Sequence, residues 1–249
     1  MFKLELSDVD LLKNSIPIIA EIIDEGVFKV NKDAISLLMP DRAMVAVVDF
    51  KILSTAFDDY KVEGDAALGL NLANLVAILK RVGSKDKMIL ELDDKSNKLK
   101  MTIRGNGVRT FEVPLIETKT EKPPVDQLNF KSKIEMHSDV FDEGIEDADV
   151  IGDSVVIESS KDLFKMYSKG EVSSTELAIQ EKDRGLVSVK TEGDTRARYP
   201  LEYLKKMVKA GKLSKNLMLE FGTDYPMRIS FVSLDKMKLS FILAPRVEE

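Results

Sequence analysis

The sequence predicts an α+β fold made of two tandem, topologically similar domains, with helices packed on antiparallel sheets. Three observations lead to this prediction. The second half of the chain repeats the first, each half carries an amphipathic helical segment at the same place in the repeat, and most of the remainder alternates as β-strands do. A duplication over about half the length means one fold used twice.

The repeat is seen when Leu72 is placed on Leu201, because Lys80 then falls on Lys209 and Glu91 on Glu220. Segments outside the helix agree as well, since Ser7-Asp8-Val9 recurs as Ser138-Asp139-Val140 with a shift of two more positions. Between the halves lies a polar segment with adjacent prolines and no periodicity, which is typical of an extended surface connector. We therefore predict a first domain over 1–117, a connector over 118–129 and a second domain over 130–249.

The composition excludes several classes of protein. Of 249 residues, 44% are hydrophobic and 32% charged, as in ordinary globular proteins. The absence of cysteine excludes disulfides, thiolate metal sites and cysteine nucleophiles, and with His137 as the one histidine a metal site built from histidines cannot be assembled. No run of 18 apolar residues or signal-peptide core is found, so we expect a cytoplasmic protein that does not span a membrane.

Two helices are predicted at equivalent places in the repeat. Asn71 is the predicted N-cap of the first, Pro200 suits the opening turn of the second, and Gly83 and Gly211 stand where each should end. Two further helices are predicted over Val9–Ile23, which Pro17 should kink, and over Asp139–Ala148. The apolar residues at helical spacing are Leu72, Leu75, Val76, Leu79 and Val82, then Leu201, Leu204, Met207 and Val208.

The remaining periodic segments predict strands, in a similar order in each half. In the first half these are Val27–Val30, Met44–Phe50, Met88–Leu92, Leu99–Ile103 and Arg109–Val113. In the second they are Val155–Glu158, Phe164–Tyr167, Glu176–Ile179, Leu186–Lys190, Leu217–Phe221, Met227–Val232 and Leu239–Leu243.

Charge is sorted by segment, although the net charge of −6 argues against nucleic acid. The segment Asn71–Lys87 carries four basic residues against one acidic residue, and Pro200–Lys215 carries five lysines against one glutamate. The segment Ser138–Asp149 has six acidic residues and no basic one. Because the two basic segments are the same element of the repeat, they indicate a polyanion as partner more strongly than the total charge argues against one.

No pattern of residues predicts catalysis, a cofactor or a metal centre. The sequence has no glycine-rich phosphate loop and no nucleophile elbow. The carboxylate pairs Asp58-Asp59, Asp93-Asp94 and Asp147/Asp149 lack the glycine-pinned spacing of a cation loop, so a solvated acidic surface is the favoured interpretation.

Four separated motifs in order resemble archaeal sliding clamps, the proliferating cell nuclear antigen family of DNA polymerase processivity factors. These are Phe57–Tyr60, Gly69–Arg81, Arg109–Leu115 and the C-terminal Leu243–Glu249. The resemblance covers essentially the whole chain. It implies a head-to-tail, ring-shaped homotrimer that encircles double-stranded DNA without reading its sequence. It also implies short client peptides as ligands, from DNA polymerase, clamp loader, flap endonuclease and ligase.

The charge pattern and the implied ring together predict a DNA surface and a subunit interface, and the resemblance itself implies a site for client peptides. Basic residues of the repeated helices would contact DNA, namely Lys80, Arg81, Lys205, Lys206, Lys209 and Lys212. A mainly apolar pocket for client peptides would be lined by Met39, Pro40, Met44, Val45, Leu128, Phe130, Pro226, Ile242, Ala244, Pro245 and Val247. The subunit interface is predicted to pair two strand edges beside ion pairs, through Arg81, Lys85, Arg109, Phe111, Val113, Asp139, Asp142, Glu143, Asp147, Leu177 and Ile179.

Two alternatives remain open at the level of sequence. The first is a clamp relative that works only as one subunit of a heterotrimer or as a checkpoint-type clamp. The second is a non-ring tandem-repeat enzyme or metal-binding protein, against which the scarcity of histidine counts.

Overall fold

A computed structural model describes residues 1–92, 97–118 and 122–247. The predicted carboxylate pair Asp93-Asp94, the connector residues 119–121 and the final two glutamates lie outside the described residues. The chain divides into two compact units. One comprises Met1–Arg42, Val48–Pro123 and Ser233–Leu239, and the other Ala43–Val47, Pro124–Val232 and Ser240–Glu249. The predicted boundaries at 117 and 130 stay a prediction.

The first half of the chain contains nine strands and two α-helices among its described residues. Short 3₁₀ turns at Ser54–Ala56 and Val125–Gln127 lie between elements. In chain order the elements are β1 (Phe2–Leu6), α1 (Asp10–Ile19), β2 (Glu25–Val30), β3 (Ala34–Pro40), β4 (Ala46–Leu53), β5 (Asp59–Val62), β6 (Ala66–Asn71), α2 (Leu72–Leu79), β7 (Lys87–Leu92), β8 (Lys98–Arg104) and β9 (Val108–Pro114).

The second half repeats this series element by element. Its elements are β10 (Ser132–His137), α3 (Ser138–Ile151), β11 (Ser154–Ser160), β12 (Leu163–Lys169), β13 (Ser174–Gln180), β14 (Leu186–Thr191), β15 (Thr195–Pro200), α4 (Leu201–Met207), β16 (Asn216–Phe221), β17 (Met227–Ser233) and β18 (Met237–Leu243). A 3₁₀ helix over Val208–Leu213 continues α4.

The strand order is the same in both halves, which confirms the predicted α+β fold of two similar domains. The run β5-β1-β7-β8-β9 corresponds to β14-β10-β16-β17-β18, and the run β4-β3-β2-β6 corresponds to β13-β12-β11-β15. Neighbouring strands are antiparallel, as in the register Leu4↔Leu90 of β1 and β7 and its counterpart Ile134↔Leu219 of β10 and β16. In each unit the two helices contact each other, α1 with α2 and α3 with α4.

The predicted helix signals are confirmed at α2 and corrected at three places. The Asn71 side chain accepts a hydrogen bond from the backbone N–H of Asn74 at 3.1 Å, which is the N-cap interaction. Helix α1 ends at Ile19, before the predicted end at Ile23. The predicted stop at Gly211 is wrong, because this glycine lies inside the 3₁₀ helix, and α2 ends well before Gly83.

Several strands escaped the sequence analysis, namely β1, β3, β5, β6, β10 and β15. Strand β3 reads Ala-Ile-Ser-Leu-Leu-Met-Pro, a mostly apolar run without clear alternation. The predicted strand start at Met44 is also wrong. This residue has a φ of 59°, in the left-handed region, and β4 begins at Ala46.

Candidate DNA-binding and partner sites

The basic residues of the first unit lie just past the end of α2. Lys80 is the C-cap residue, and both Lys80 and Arg81 are exposed to solvent. Lys13 on α1 donates from Nζ to the backbone oxygen of Val82 at 2.7 Å. This hydrogen bond joins α1 to the segment just after α2. No sequence pattern pointed to Lys13.

The basic residues of the second unit differ in their surroundings. Lys205 pairs with Asp149 of α3 at 2.6 Å, and Lys206 lies 3.6 Å from Glu202. Lys209 and Lys212 are exposed on the 3₁₀ helix that continues α4. Lys209, like its repeat counterpart Lys80, therefore lies at an exposed position just beyond an α-helix.

The acidic helix α3 carries its carboxylates on a partly exposed surface. Asp139, Glu143 and Asp147 are exposed, and Asp142 is half-buried. Burial raises the pKa of Asp142 above its ordinary value, and the nearby charges of Glu146 and Glu143 raise it further. Within the chain α3 contacts strands β10–β13 and helix α4.

Two strands with predicted interface residues lie at the ends of their runs, β9 next to β8 and β13 next to β12. Phe111 and Leu177 are half-buried, whereas Val113 and Ile179 are 2% and 5% exposed and belong to the cores of their own units. Because the interface is predicted to pair the backbones of two strand edges, burial of these last two side chains is compatible with it, and their assignment to the interface stays a prediction. Lys85 is exposed.

The predicted peptide pocket is divided between two cavities and the residues near the connector. Met39 and Pro40 line a pocket of about 220 Å³ with Ile23 and Thr118. A larger pocket of about 590 Å³ is lined by Val45, Ala244 and Pro245, together with residues that the sequence analysis missed: Pro200, Leu201, Tyr203, Asp149, Asp153, Glu202, Lys205 and Arg246.

The other predicted pocket residues have diverse surroundings. Ile242 is buried, Met44 is 69% exposed and Val247 is 78% exposed. Leu128, Phe130 and Pro226 are half-buried.

Arg228 holds the end of the connector in the second unit. Its guanidinium lies 4.9 Å from the Phe130 ring centre and donates to the backbone oxygen of Val125 at 3.1 Å. The Phe130 ring also meets Tyr225 edge-on, with 6.0 Å between centroids. No sequence pattern pointed to Arg228, which lies far from Val125 in the chain.

Across the described ranges, no group of three or more histidine, cysteine, aspartate or glutamate side chains is placed to hold a metal ion. In the same part of the chain, no helix has the length and apolar character needed to cross a membrane.

Comparison with known proteins gives the family. Residues 1–120 match the model of the proliferating cell nuclear antigen N-terminal domain, and residues 124–246 match that of its C-terminal domain. The chain therefore belongs to the proliferating cell nuclear antigen family. Because this is a family of processivity factors without catalytic activity, the chain is not an enzyme.

Curated relatives and a solved structure agree with this assignment. A protein of Thermococcus gammatolerans named DNA polymerase sliding clamp is 34% identical over 230 residues, which is 92% of each chain. One of the same name from Nanoarchaeum equitans is 34% identical over 243 residues, covering 96% of this chain and 97% of the relative. A crystal structure of proliferating cell nuclear antigen from Thermococcus kodakaraensis superposes on this chain with a TM-score of 0.93 and shows the same fold. The two sequences are 22% identical, and the match covers 99% of this chain and 100% of that one.

Proposed function

We propose that this chain is a DNA polymerase sliding clamp, in which three copies join head to tail into a ring around duplex DNA. The family assignment and the duplicated sheet carry this proposal. A contact between unlike edges of identical chains forms a closed ring when the rotation per subunit divides a full turn.

The strand order supports a head-to-tail contact. Strands β4 and β18 are neighbours, with hydrogen bonds from the Leu53 N–H to the Lys236 oxygen and from the Ala244 N–H to the Val45 oxygen. The counterparts of β4 and β18 in the repeat are β13 and β9, and each of these lies at the end of its run. The same pairing, made between two copies of the chain, would join β9 of one copy to β13 of the next and satisfy both edges.

The DNA surface is assigned to the basic residues beyond the helices α2 and α4. Lys80 and Arg81 in the first unit and Lys209 and Lys212 in the second are exposed and follow equivalent helices. Lysine meets phosphates as a hydrated point charge without fixing a base register, and such contacts permit sliding. Lys205 and Lys206 contribute less than Lys80, because Asp149 and Glu202 already offset their charges.

Client proteins are proposed to dock through short peptides at the pocket lined by Val45, Ala244 and Pro245. Leu128 and Phe130, at the end of the connector, are proposed to contact the same peptides. An apolar groove with a few backbone donors and acceptors suits a helical turn of a partner peptide. DNA polymerase is the first client in this proposal, with clamp loader, flap endonuclease and ligase as further ones. A ring on DNA in a prokaryotic cell is a cytoplasmic, nucleoid-associated protein.

The native mass of the pure protein tests the assembly. Size-exclusion chromatography with light scattering should give three times the 27.9 kDa chain mass at micromolar concentration. A monomer under these conditions would contradict the homotrimer and favour a subunit that assembles only with different partners. Primer extension on a long template then tests the function, since added protein should lengthen the products made by a cognate polymerase in a single binding event.

A further inference from the structure

The C-terminal segment Ala244–Arg246 forms one wall of the pocket of about 590 Å³ in the second unit. The opposite side comes from the turn after α3 and the first residues of α4, including Asp153, Leu201 and Tyr203. The width of the pocket therefore depends on how firmly a short segment with no secondary structure of its own is held in place.

Two backbone hydrogen bonds hold this segment at its ends. The Ala244 N–H donates to the Val45 oxygen at 2.9 Å, and the Arg246 N–H donates to the Arg198 oxygen at 2.7 Å. Pro245 between them has no N–H to donate. Arg246 is thus the first residue after Pro245 whose backbone N–H can hold the segment by a hydrogen bond.

The Arg246 side chain adds a third contact. Its Nη1 lies 2.7 Å from Oδ1 of Asp153. The hydrogen bond from Arg246 holds the pKa of the Asp153 carboxyl below its ordinary value, so this carboxylate is charged at neutral pH. The Asp153 backbone oxygen also accepts a hydrogen bond from the Leu201 N–H at 2.9 Å, at the start of α4. Asp153 therefore contacts the C-terminal segment through its side chain and the start of α4 through its backbone oxygen.

We propose that Arg246 and Asp153 form a latch that fixes the C-terminal segment and so positions the pocket for a client peptide. Both residues line the pocket themselves, and the role proposed here is the placement of Ala244 and Pro245, which hydrogen exchange reports without a peptide. This inference rests on the proposed client site. The pair is largely exposed, so its contribution is modest and is screened by salt.

The first measurement is hydrogen exchange in the full-length protein. R246Q and D153N should each speed exchange at the Ala244 and Arg246 amides, while the charge-swapped variant D153R/R246D should restore slow exchange. D8N is the matched control, because Asp8 pairs with Lys236 at 2.8 Å at a similarly exposed site and lines no part of this pocket. Unchanged exchange in R246Q and D153N would overturn the latch.

The second measurement is binding of a fluorescent peptide copied from the clamp-binding segment of the DNA polymerase of the same organism. R246Q and D153N should weaken binding about two- to five-fold, the effect of an exposed ion pair. The difference from wild type should vanish at about 1 M salt, where the Debye length is about 3 Å. The swap should rescue affinity, and its failure to do so while D8N binds normally would contradict a role of the ion pair.

The two measurements separate this inference from the proposed function. If the wild-type protein fails to bind the peptide at all, the client site is wrong, whereas the exchange rates still decide whether the ion pair fixes the segment. If the peptide binds, but the exchange rates and the peptide affinity of both variants equal those of the wild type, the client site is supported and the latch is wrong.

Discussion

Arg109 on the end strand β9 is joined to Asp86 in the loop after α2, with 2.7 Å between its Nη2 and the carboxylate Oδ2. Its Nη1 donates to the backbone oxygen of Arg81 at 2.9 Å, and Asp86 also accepts from the Gly83 N–H at 2.9 Å. The arginine predicted to pair across a subunit interface thus already has partners in its own chain. It keeps an exposed side, since 41% of its side-chain surface is accessible.

The R109Q variant tests the role of this residue in assembly. We expect a several-fold higher concentration for half-assembly of the trimer at low salt, because the variant loses the charge that we propose to face the acidic helix α3 of the next copy. The difference should shrink as salt rises. The measurement is light scattering over a dilution series.

A matched control is K98Q. Lys98 is an exposed residue of β8 and pairs at 2.7 Å with Glu112, which lies on β9 as Arg109 does. K98Q should assemble as wild type does. Equal assembly of R109Q and wild type at low salt would show that Arg109 forms no ion pair that stabilises the interface.

Replacing the equivalent lysines of the repeat tests the DNA surface. K80A/K209A should weaken binding to duplex DNA uniformly across sequences. The slope of log K against log salt should fall by about 0.9 for each phosphate that the variant no longer neutralises. K61A, which removes an exposed lysine of β5 paired with Asp59, is the control at a site away from the proposed DNA surface. If K61A reduced the slope as much as K80A/K209A, net charge alone would explain binding.

Asp149 is expected to reduce the contribution of Lys205 to DNA binding. Because the two charges lie 2.6 Å apart, K205A should cost less DNA affinity than K80A. D149N should raise the affinity, since it frees Lys205 and removes a negative charge. Fluorescence anisotropy with a labelled duplex measures both variants. Weaker DNA binding by D149N would contradict the assignment.

The N-cap of α2 gives a prediction about stability. N71A removes the acceptor for the Asn74 N–H and should lower the free energy of unfolding by about 1 kcal/mol. N71S keeps a side-chain oxygen at this position and should lose only a fraction of that. Urea unfolding followed by circular dichroism compares the two. Equal losses in both variants would show that the hydrogen bond is not the cause.

Local sequence signals predicted those features of the fold that depend on local contacts. The Asn71 cap, the helix α2 and the strands around Val155 and Phe164 follow from nearby residues, and the duplication predicted the repeated order. Strand β3 was missed, because an apolar run does not distinguish strand from helix. The predicted stop at Gly211 was wrong, because a 3₁₀ helix continues α4 through this glycine to Leu213.

The sites required contacts that no local pattern contains. Of the residues that family resemblance assigns to the client-peptide pocket, Met39 lines a cavity of the first unit, and Val45 and Ala244 line a cavity of the second. The ion pairs of Lys205 with Asp149 and of Arg246 with Asp153 join residues far apart in the chain. The basic segments predicted a polyanion as partner, but they did not show which lysines form ion pairs within the chain.

Retention on closed DNA tests the central claim most directly. The protein is placed on nicked circular duplex with its clamp loader, the complex is isolated by gel filtration in moderate salt, and the DNA is then cut once with a restriction enzyme. A ring around the duplex should remain on the uncut circle and leave after cutting, because only topology holds it there. Equal retention on circular and linear DNA, or equal loss from both, would contradict a clamp that encircles the double helix.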